Sequence, residues 1–335
     1  MTIDISSLPI HFEKDTAYIR MKALTWIANY GSLTEMIQSS SGKLLSEIIQ
    51  HDMLEGKSLI VNFFGIVSID DHSLEDVAHA TEKTGRKLIV INASQVQKEL
   101  TAYIQVKPNI TLNNGTIIFN SSNPKEAQTA AENVSRIEHD IVIDIVKRSY
   151  EEFPAKKMQR LQSTPLYASG VFNARRIVSR RSDFMWICLI MSERLANIMD
   201  EFKPKASRLL AVSLRSSPFA GALGILGSID IEIVDHMGPD LKILEEYTLG
   251  TNQEDINYIY IGDWIIGGTE VKIAETYAVA RHCTVEHVLV IGSLFAPEDY
   301  EVKHTSLSKA PKAHSLVKLN DALPEARYDI WRTDA

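Results

Sequence analysis

The run Ile256-Asn257-Tyr258-Ile259-Tyr260-Ile261 is short, apolar and rich in β-branched residues, and an acid, Asp263, stands just beyond it. Gly267-Gly268-Thr269 follows, and helical periodicity sets in at Glu270. Strand, acid, glycine turn and helix in that order belong to a parallel α/β sheet, at whose carboxyl edge phosphate groups are held. Glycines let backbone N–H groups approach a phosphate closely, and the helix N-terminus adds a favourable dipole. The segment therefore predicts a site for a phosphorylated sugar or a nucleotide.

The rest of the chain extends the alternation. Ala17 to Leu24 reads as a strand, Ser32 to Met53 as a helix, and Ser58 to Phe64 as a buried strand. A helix is expected over Ser73 to Thr84, with Ser73 as N-cap and Gly85 just past its end. Lys87 to Asn92 and Thr116 to Phe119 read as strands around a helix at Ser94 to Leu100. From Pro124 a long polar helix, Lys125 to Phe153, looks fit to link two domains, and Pro154 and Pro165 punctuate its end. Helices at Ser182 to Phe202, Pro218 to Gly227 and Glu270 to Arg281 then alternate with strands at Arg208 to Leu214, Ile229 to Val234, Ile256 to Ile261 and His287 to Leu294. Strands alternating with helices give an α/β layer structure. At 335 residues, two domains are the default. The expected division is residues 1–125, a linking helix at 126–160, and residues 161–335.

Composition narrows the function classes. A net charge of −8 argues against broad nucleic-acid binding. Two cysteines, Cys188 and Cys283, make no disulfide framework or metal spacing and fit a reducing cytoplasm. The N-terminus lacks the pattern of a signal peptide, and no apolar run is long enough to span a bilayer, so a cytoplasmic protein is expected. Arg175, Arg176, Arg180 and Arg181 form a basic cluster suited to a ligand or a partner subunit. Met185, Trp186 and Met191 fall on a helical stripe and read as core. Lys303, His304, Lys309, Lys312 and His314 read as a solvated basic loop.

From about Ser163 to Phe295 the chain resembles the type I phosphoribosyltransferases, the orotate-type enzymes above all. Tyr260-Ile261-Gly262-Asp263-Trp264-Ile265-Ile266-Gly267-Gly268-Thr269 matches the place where that family has an apolar strand, two adjacent acids, two apolar residues and a phosphate loop. Leu209 to Gly221 matches the strand, pyrophosphate loop and small-residue helix, and Leu166 to Phe172 the Ser-Gly segment before the sheet. The resemblance implies a parallel-sheet fold that binds phosphoribosyl pyrophosphate or a nucleotide. It implies Asp263 as the catalytic acid on the ribose hydroxyls and on Mg2+. Gly267, Gly268 and Thr269 would lie on the 5′-phosphate, and Arg215, Ser216 and Ser217 on the pyrophosphate. It also implies a homo-oligomer. The chain departs from the pattern at Gly262, where the first acid belongs, and in a lid, Asp235 to Thr251, that carries Lys242 alone among acids.

The first half resembles a STAS domain, an α/β sandwich, from about Tyr18 to Ala127. Asn62 to Leu74 matches its centre, and Ile117 to Ala127 its closing strand and helix. That resemblance implies a protein partner bound around Asp70, Asp71, His72 and Ser73. His72 stands where switching members carry a phosphorylated serine, and Ser73 is its neighbour. Two functions are expected from the whole. One is transfer of ribose 5-phosphate to or from a nitrogen base. The other is a noncatalytic sensor that reads phosphoribosyl pyrophosphate or a nucleotide and signals through the first domain.

Overall fold

The computed structural model describes residues 8–28, 36–105, 107–112, 114–154, 157–161, 166–201, 207–234, 256–294 and 311–330. The expected lid at 235–251, and Lys303, His304 and Lys309, lie outside these. Two compact units emerge, Met1–Ile141 and Val142–Ala335. Both are mixed α/β structures with parallel strands.

Unit 1 is built on strands β1 (His11–Phe12), β2 (Thr16–Arg20), β3 (Met36–Ile37), β4 (Ser58–Asn62), β5 (Ser68–Ile69), β6 (Leu88–Ile91), β7 (Asn109–Thr111) and β8 (Ile117–Phe119). Its helices are α1 (Met21–Ala28), α2 (Ser39–Gln50), α3 (Asp71–Thr84), α4 (Gln97–Tyr103) and α5 (Pro124–Ser149). The main sheet runs β1-β2-β4-β6-β8-β7, with β2, β4 and β6 parallel and the outer pairs antiparallel. Alternate residues of a strand face opposite sides. Ala17, Ile19, Leu59, Val61, Leu88 and Val90 meet α1 to α4 in one apolar core. The opposite face is polar at its carboxyl end, where Glu138 of α5 accepts hydrogen bonds from Tyr18 Oη and from Arg20 Nε at 2.7 Å. Asn62 Nδ2 donates to Tyr18 Oη (2.9 Å), and Asn92 Nδ2 to Asn62 Oδ1 (2.9 Å).

Several boundaries shift for local reasons. The expected strand over 17–24 ends at Arg20, and Met21 to Leu24 start α1. The expected helix over 32–53 yields β3, α2 and a 3-10 turn at Asp52–Leu54 instead. Helix α3 is capped by Asp70, not Ser73: Asp70 Oδ1 accepts the Ser73 N–H at 2.6 Å. Gly85 does end it, in the left-handed region at φ 59°. The long helix α5 is not a bare linker, because the unit boundary falls inside it and Glu138 serves the first sheet. It stops at Ser149, where the expected helix gives way to a strand.

Unit 2 comprises β9 (Tyr150–Glu152), β10 (Gln159–Arg160), β11 (Leu166–Ala168), β12 (Gly170–Phe172), β13 (Ser207–Ala211), β14 (Ile231–Ile233), β15 (Asn257–Ile265), β16 (Thr284–Ser293), β17 (Lys312–Lys318) and β18 (Tyr328–Ile330). Its further helices are α6 (Ala174–Val178), α7 (Arg181–Glu201), α8 (Ser217–Gly227), α9 (Thr269–Ala280) and α10 (Leu319–Ala322). A five-stranded parallel sheet runs β14-β13-β15-β16-β17. Tyr258, Tyr260, Val288 and Val290 pack on Val271, Ala274 and Tyr277 of α9. Helices α7 and α8 also pack on the sheet, and Met185, Trp186 and Met191 are buried as core. Two small assemblies, β9-β12 and β10-β11-β18, lie outside this sheet.

Strand β17 corrects one expectation. Lys312 and His314 stand on it, paired in parallel with β16, instead of in a solvated loop. His314 Nε2 sits 2.9 Å from His287 Nδ1, and the rings stack at 18°.

Candidate functional site

The order of the parallel sheet locates the site. From β13 the chain moves outward to β14, then returns to lay β15 on the other side of β13. The sheet order thus reverses between β13 and β15. At such a reversal the two loops leave the carboxyl edge in opposite directions and open a crevice, which is where open α/β sheets bind ligands. The loops here are Val212 to Ser216, leading into α8, and Ile266 to Gly268, leading into α9. They hold Arg215, Ser216, Gly267 and Gly268, with Ser217 and Thr269 opening the helices and Asp263 in β15.

Asp263 is set differently from expectation. Strand β15 does not end before the acid but continues to Ile265, because β16 offers partners up to Ser293. Asp263 lies inside the strand, 4% exposed. One oxygen accepts the Trp264 N–H at 2.8 Å. Burial, then the nearby Glu270 carboxylate, push its carboxyl up to about 7, against the Trp264 hydrogen bond and the Arg215 guanidinium, which pull it down. Arg215 is exposed on the β13–α8 loop, so a loop, strand β15 and helix α9 bring Arg215, Asp263 and Glu270 into electrostatic reach.

Gly262 explains the missing first acid. A Cβ there would lie 2.9 Å from the Tyr260 ring edge and hydroxyl and 3.0 Å from Val290 Cγ1. Tyr260 is fully buried, and its hydroxyl donates to Glu270 Oε2 at 2.9 Å. The space that a side chain at 262 would enter is filled by a tyrosine tied to the first turn of α9. Gly262→Asp is therefore expected to cost about 1–3 kcal/mol through overpacking. The check is urea denaturation of the variant beside wild type, and an unchanged midpoint would refute the crowding.

The glycine turn is built as a helix start. Gly268 is the N-cap of α9 at φ 72°, a conformation other residues seldom adopt, and no side chain caps the helix. The amides of Thr269, Glu270 and Val271 occupy the first turn, where a helix offers N–H groups without intrahelical acceptors. Glu270, by contrast, places a carboxylate in that turn. In the other loop Ser216 is fully buried. Its N–H donates to Ser213 Oγ (3.3 Å), its hydroxyl lies 3.0 Å from Ser213 Oγ, and the Ser217 N–H donates to the Ser213 carbonyl (3.1 Å). These two amides, expected on a pyrophosphate, turn back into the loop and shape it, which leaves Arg215 as its exposed charged group.

Among the described residues no cluster of three His, Cys, Asp or Glu side chains could hold a metal. Mg2+ favours ionised, hydrated oxygen ligands. Asp263 is buried and gives one oxygen to a backbone amide, which does not fit that role.

An aromatic series that the sequence reading missed borders the site. Tyr150 of β9 packs on Phe172 of β12 with ring centroids 5.0 Å apart, and Phe172 packs on Trp264 at 5.0 Å. The Trp264 indole nitrogen is buried without a hydrogen-bond partner. Nothing in the spacing of residues 150, 172 and 264 signals this. The Ser-Gly segment supports it: Ser169 Oγ pairs with Tyr150 Oη at 2.9 Å, and a Cβ on Gly170 would fall 2.4 Å from the Glu151 carbonyl.

In unit 1, Asp70 binds within its own loop, accepting from Ser73 N–H and from Ser39 Oγ (3.2 Å). Burial raises its carboxyl, but these hydrogen bonds outweigh that and hold it below the usual range. Ser73 is fully buried, because Gly42 of α2 lets the two helices close on it; a Cβ at 42 would sit 2.4 Å from Ser73 Cβ. Asp71 and His72 are exposed, with His72 Nδ1 3.7 Å from Glu75. Arg175, Arg176, Arg180 and Arg181 are all exposed; Arg176 pairs with Glu151 (2.8 Å), Arg180 lies 3.8 Å from Asp183, and Arg148 pairs with Asp183 (2.8 Å). Among the described residues no helix is long and apolar enough to cross a membrane.

No protein-family model matches the chain, and no curated protein matches it. Among solved structures it is similar to orotate phosphoribosyltransferase from Aeropyrum pernix, at 14% identity over 55% of this chain and 97% of that one, with a TM-score of 0.38. It is also similar to adenine phosphoribosyltransferase from Leishmania donovani, at 15% identity over 55% of this chain and 82% of that one, with a TM-score of 0.40. The adenine enzyme from Leishmania tarentolae aligns at 14% identity over 54% of this chain and 88% of that one, with a TM-score of 0.41.

Proposed function

We propose that unit 2 binds phosphoribosyl pyrophosphate or a nucleotide in the crevice between the β13–α8 and β15–α9 loops. The observation that carries this reading is the reversal of sheet order between β13 and β15, with Arg215 on one loop and the start of α9 on the other. The amides of Gly267, Gly268 and Thr269 would take the 5′-phosphate, Arg215 a second phosphate with its planar fork, and Asp263 a ribose hydroxyl. The motifs at Tyr260 to Thr269 and Leu209 to Gly221 support the same ligand class. Arg215→Ala is expected to weaken binding of phosphoribosyl pyrophosphate about 10- to 100-fold, the worth of a charge-assisted contact. The free protein's melting temperature should not change. Isothermal titration of both forms tests this; equal affinities, or no binding by wild type, would overturn the reading.

Within this reading a noncatalytic sensor is favoured over a transferase. The support is Gly262, closed to a second acid by Tyr260, together with the buried and half-neutral Asp263. Unit 1 would then be a STAS-like module that presents Asp71 and His72 to a protein partner. Arg175 and Arg181 would serve self-association. Thermal stabilisation by phosphoribosyl pyrophosphate without pyrophosphate release, over a panel of nucleobases with Mg2+, selects the sensor. Pyrophosphate release with any base selects the transferase.

A further inference from the structure

Unit 1 holds a cleft of about 390 Å3 that none of the chemistry above uses. That is within the roughly 300–1,000 Å3 of small-ligand sites. It opens between the starts of β2, β4 and β6, marked by Thr16, Ser58 and Lys87, and the face of α5 that bears Thr129 and Asn133. Its middle is apolar, lined by Ile60, Ile89 and Ala130.

Two ion pairs stand at the ends of this cleft. Lys87 Nζ lies 2.7 Å from Glu126 in the first turn of α5. Farther along the same helix, Arg136 lies 3.1 Å from Glu13. The helix from Glu126 to Arg136 spans about 15 Å at its usual rise. Across the sheet, β2 and β6 are two strand spacings apart, about 10 Å. With these pairs neutral, Lys125 leaves the end at Lys87 and Glu126 net basic, and Asp15 leaves the end at Glu13 and Arg136 net acidic. Among the described residues, Asp15 and Lys125 belong to no ion pair, and Asn133 and Thr129 side chains bond to nothing.

We propose that this cleft binds a short extended peptide of three or four residues by its two ends. The ammonium group meets Asp15, and the carboxylate meets Lys125. Extended chain advances about 3.3–3.6 Å per residue, so three or four residues bridge about 10–14 Å. A single amino acid has its charges too close together to reach both ends. Asn133 and Thr129, on the wall between, are placed to bond the peptide backbone, and Ile60 and Ile89 take small apolar side chains.

Isothermal titration of the full chain with tri-alanine and tetra-alanine tests the proposal. Either peptide should bind, with affinity falling about tenfold on N-acetylation and again on C-amidation, as expected for loss of one charged contact. Asp15→Asn and Lys125→Ala, both at exposed positions, should each cost about tenfold. Asp15→Asn should add nothing to the loss already caused by N-acetylation, which a merely structural effect would not reproduce. No heat at about 1 mM of either peptide, equal binding of blocked and free peptides, or undiminished binding by both variants would each overturn the proposal.

Discussion

Asp263→Asn is expected to stabilise the protein at pH 8 and to leave its stability nearly unchanged at pH 4. The carboxyl is raised from its ordinary value to about 7 by burial and by Glu270. Over that interval the folded state binds a proton that the unfolded state has already released. Stability from this group is therefore complete below about pH 4 and is lost as pH rises through 7. The penalty of holding a buried carboxylate at pH 8 amounts to a few kcal/mol, since each tenfold change in acidity is worth about 1.4 kcal/mol. Asparagine keeps the acceptor for the Trp264 N–H and removes the charge. Urea denaturation at pH 4 and pH 8 measures the difference directly. A variant less stable than wild type at pH 8 would show that Asp263 is ionised and well solvated or paired, contrary to its burial. Titration with phosphoribosyl pyrophosphate at the same two pH values would then show whether the ligand draws on the charged form.

The second large effect concerns unit 1. Glu138→Ala is expected to cost about 3–5 kcal/mol, because it leaves the charge of Arg20 buried without this carboxylate. Arg20 is 3% exposed, and both its Nε (2.7 Å) and a terminal nitrogen (2.5 Å) lie on Glu138. The same carboxylate accepts from the buried Tyr18, which is hydrogen-bonded in turn to Asn62. Glu138 is thus the acceptor that makes a polar sheet face tolerable under α5. Replacing both partners by apolar residues, Arg20→Met with Glu138→Leu, should recover most of the loss, because two desolvated charges disappear together. Chemical denaturation followed by circular dichroism reads both effects. A loss below about 1 kcal/mol for Glu138→Ala would mean that Arg20 reaches solvent or another acceptor.

The elements legible in the sequence are those whose signals are local. Helix α3 shows its apolar period and its terminal glycine, and α7 its stripe around Trp186. The strand cores of β4, β6, β13 and β15 show uninterrupted apolar residues. Two-residue strands such as β1 and β3, and β17 with its mixed composition, have no such signature, because pairing partners far along the chain define them. The cap of α3 is local yet still ambiguous in sequence. Asp70 and Ser73 are both good cap formers, and only the hydrogen bond between them decides which one serves.

By itself, the sequence determined that this chain is α/β, that its second half turns on Gly267 and Gly268 into a helix, and that Arg215 and Asp263 are the residues of interest there. The first two follow from periodicity and from the conformations open to glycine, which neighbouring residues alone dictate, and the interest of Arg215 and Asp263 is what the resemblance to phosphoribosyltransferases implies. The tertiary structure decided that the Arg215 charge acts on Asp263, since the β13–α8 loop and strand β15 adjoin only because the strand order reverses between β13 and β15. It also decided that Asp263 is buried, with its carboxyl raised to about 7, and that Tyr260 closes the space at Gly262. Burial, charge state and steric exclusion depend on what packs against a residue from distant parts of the chain, and no short stretch of sequence carries that information.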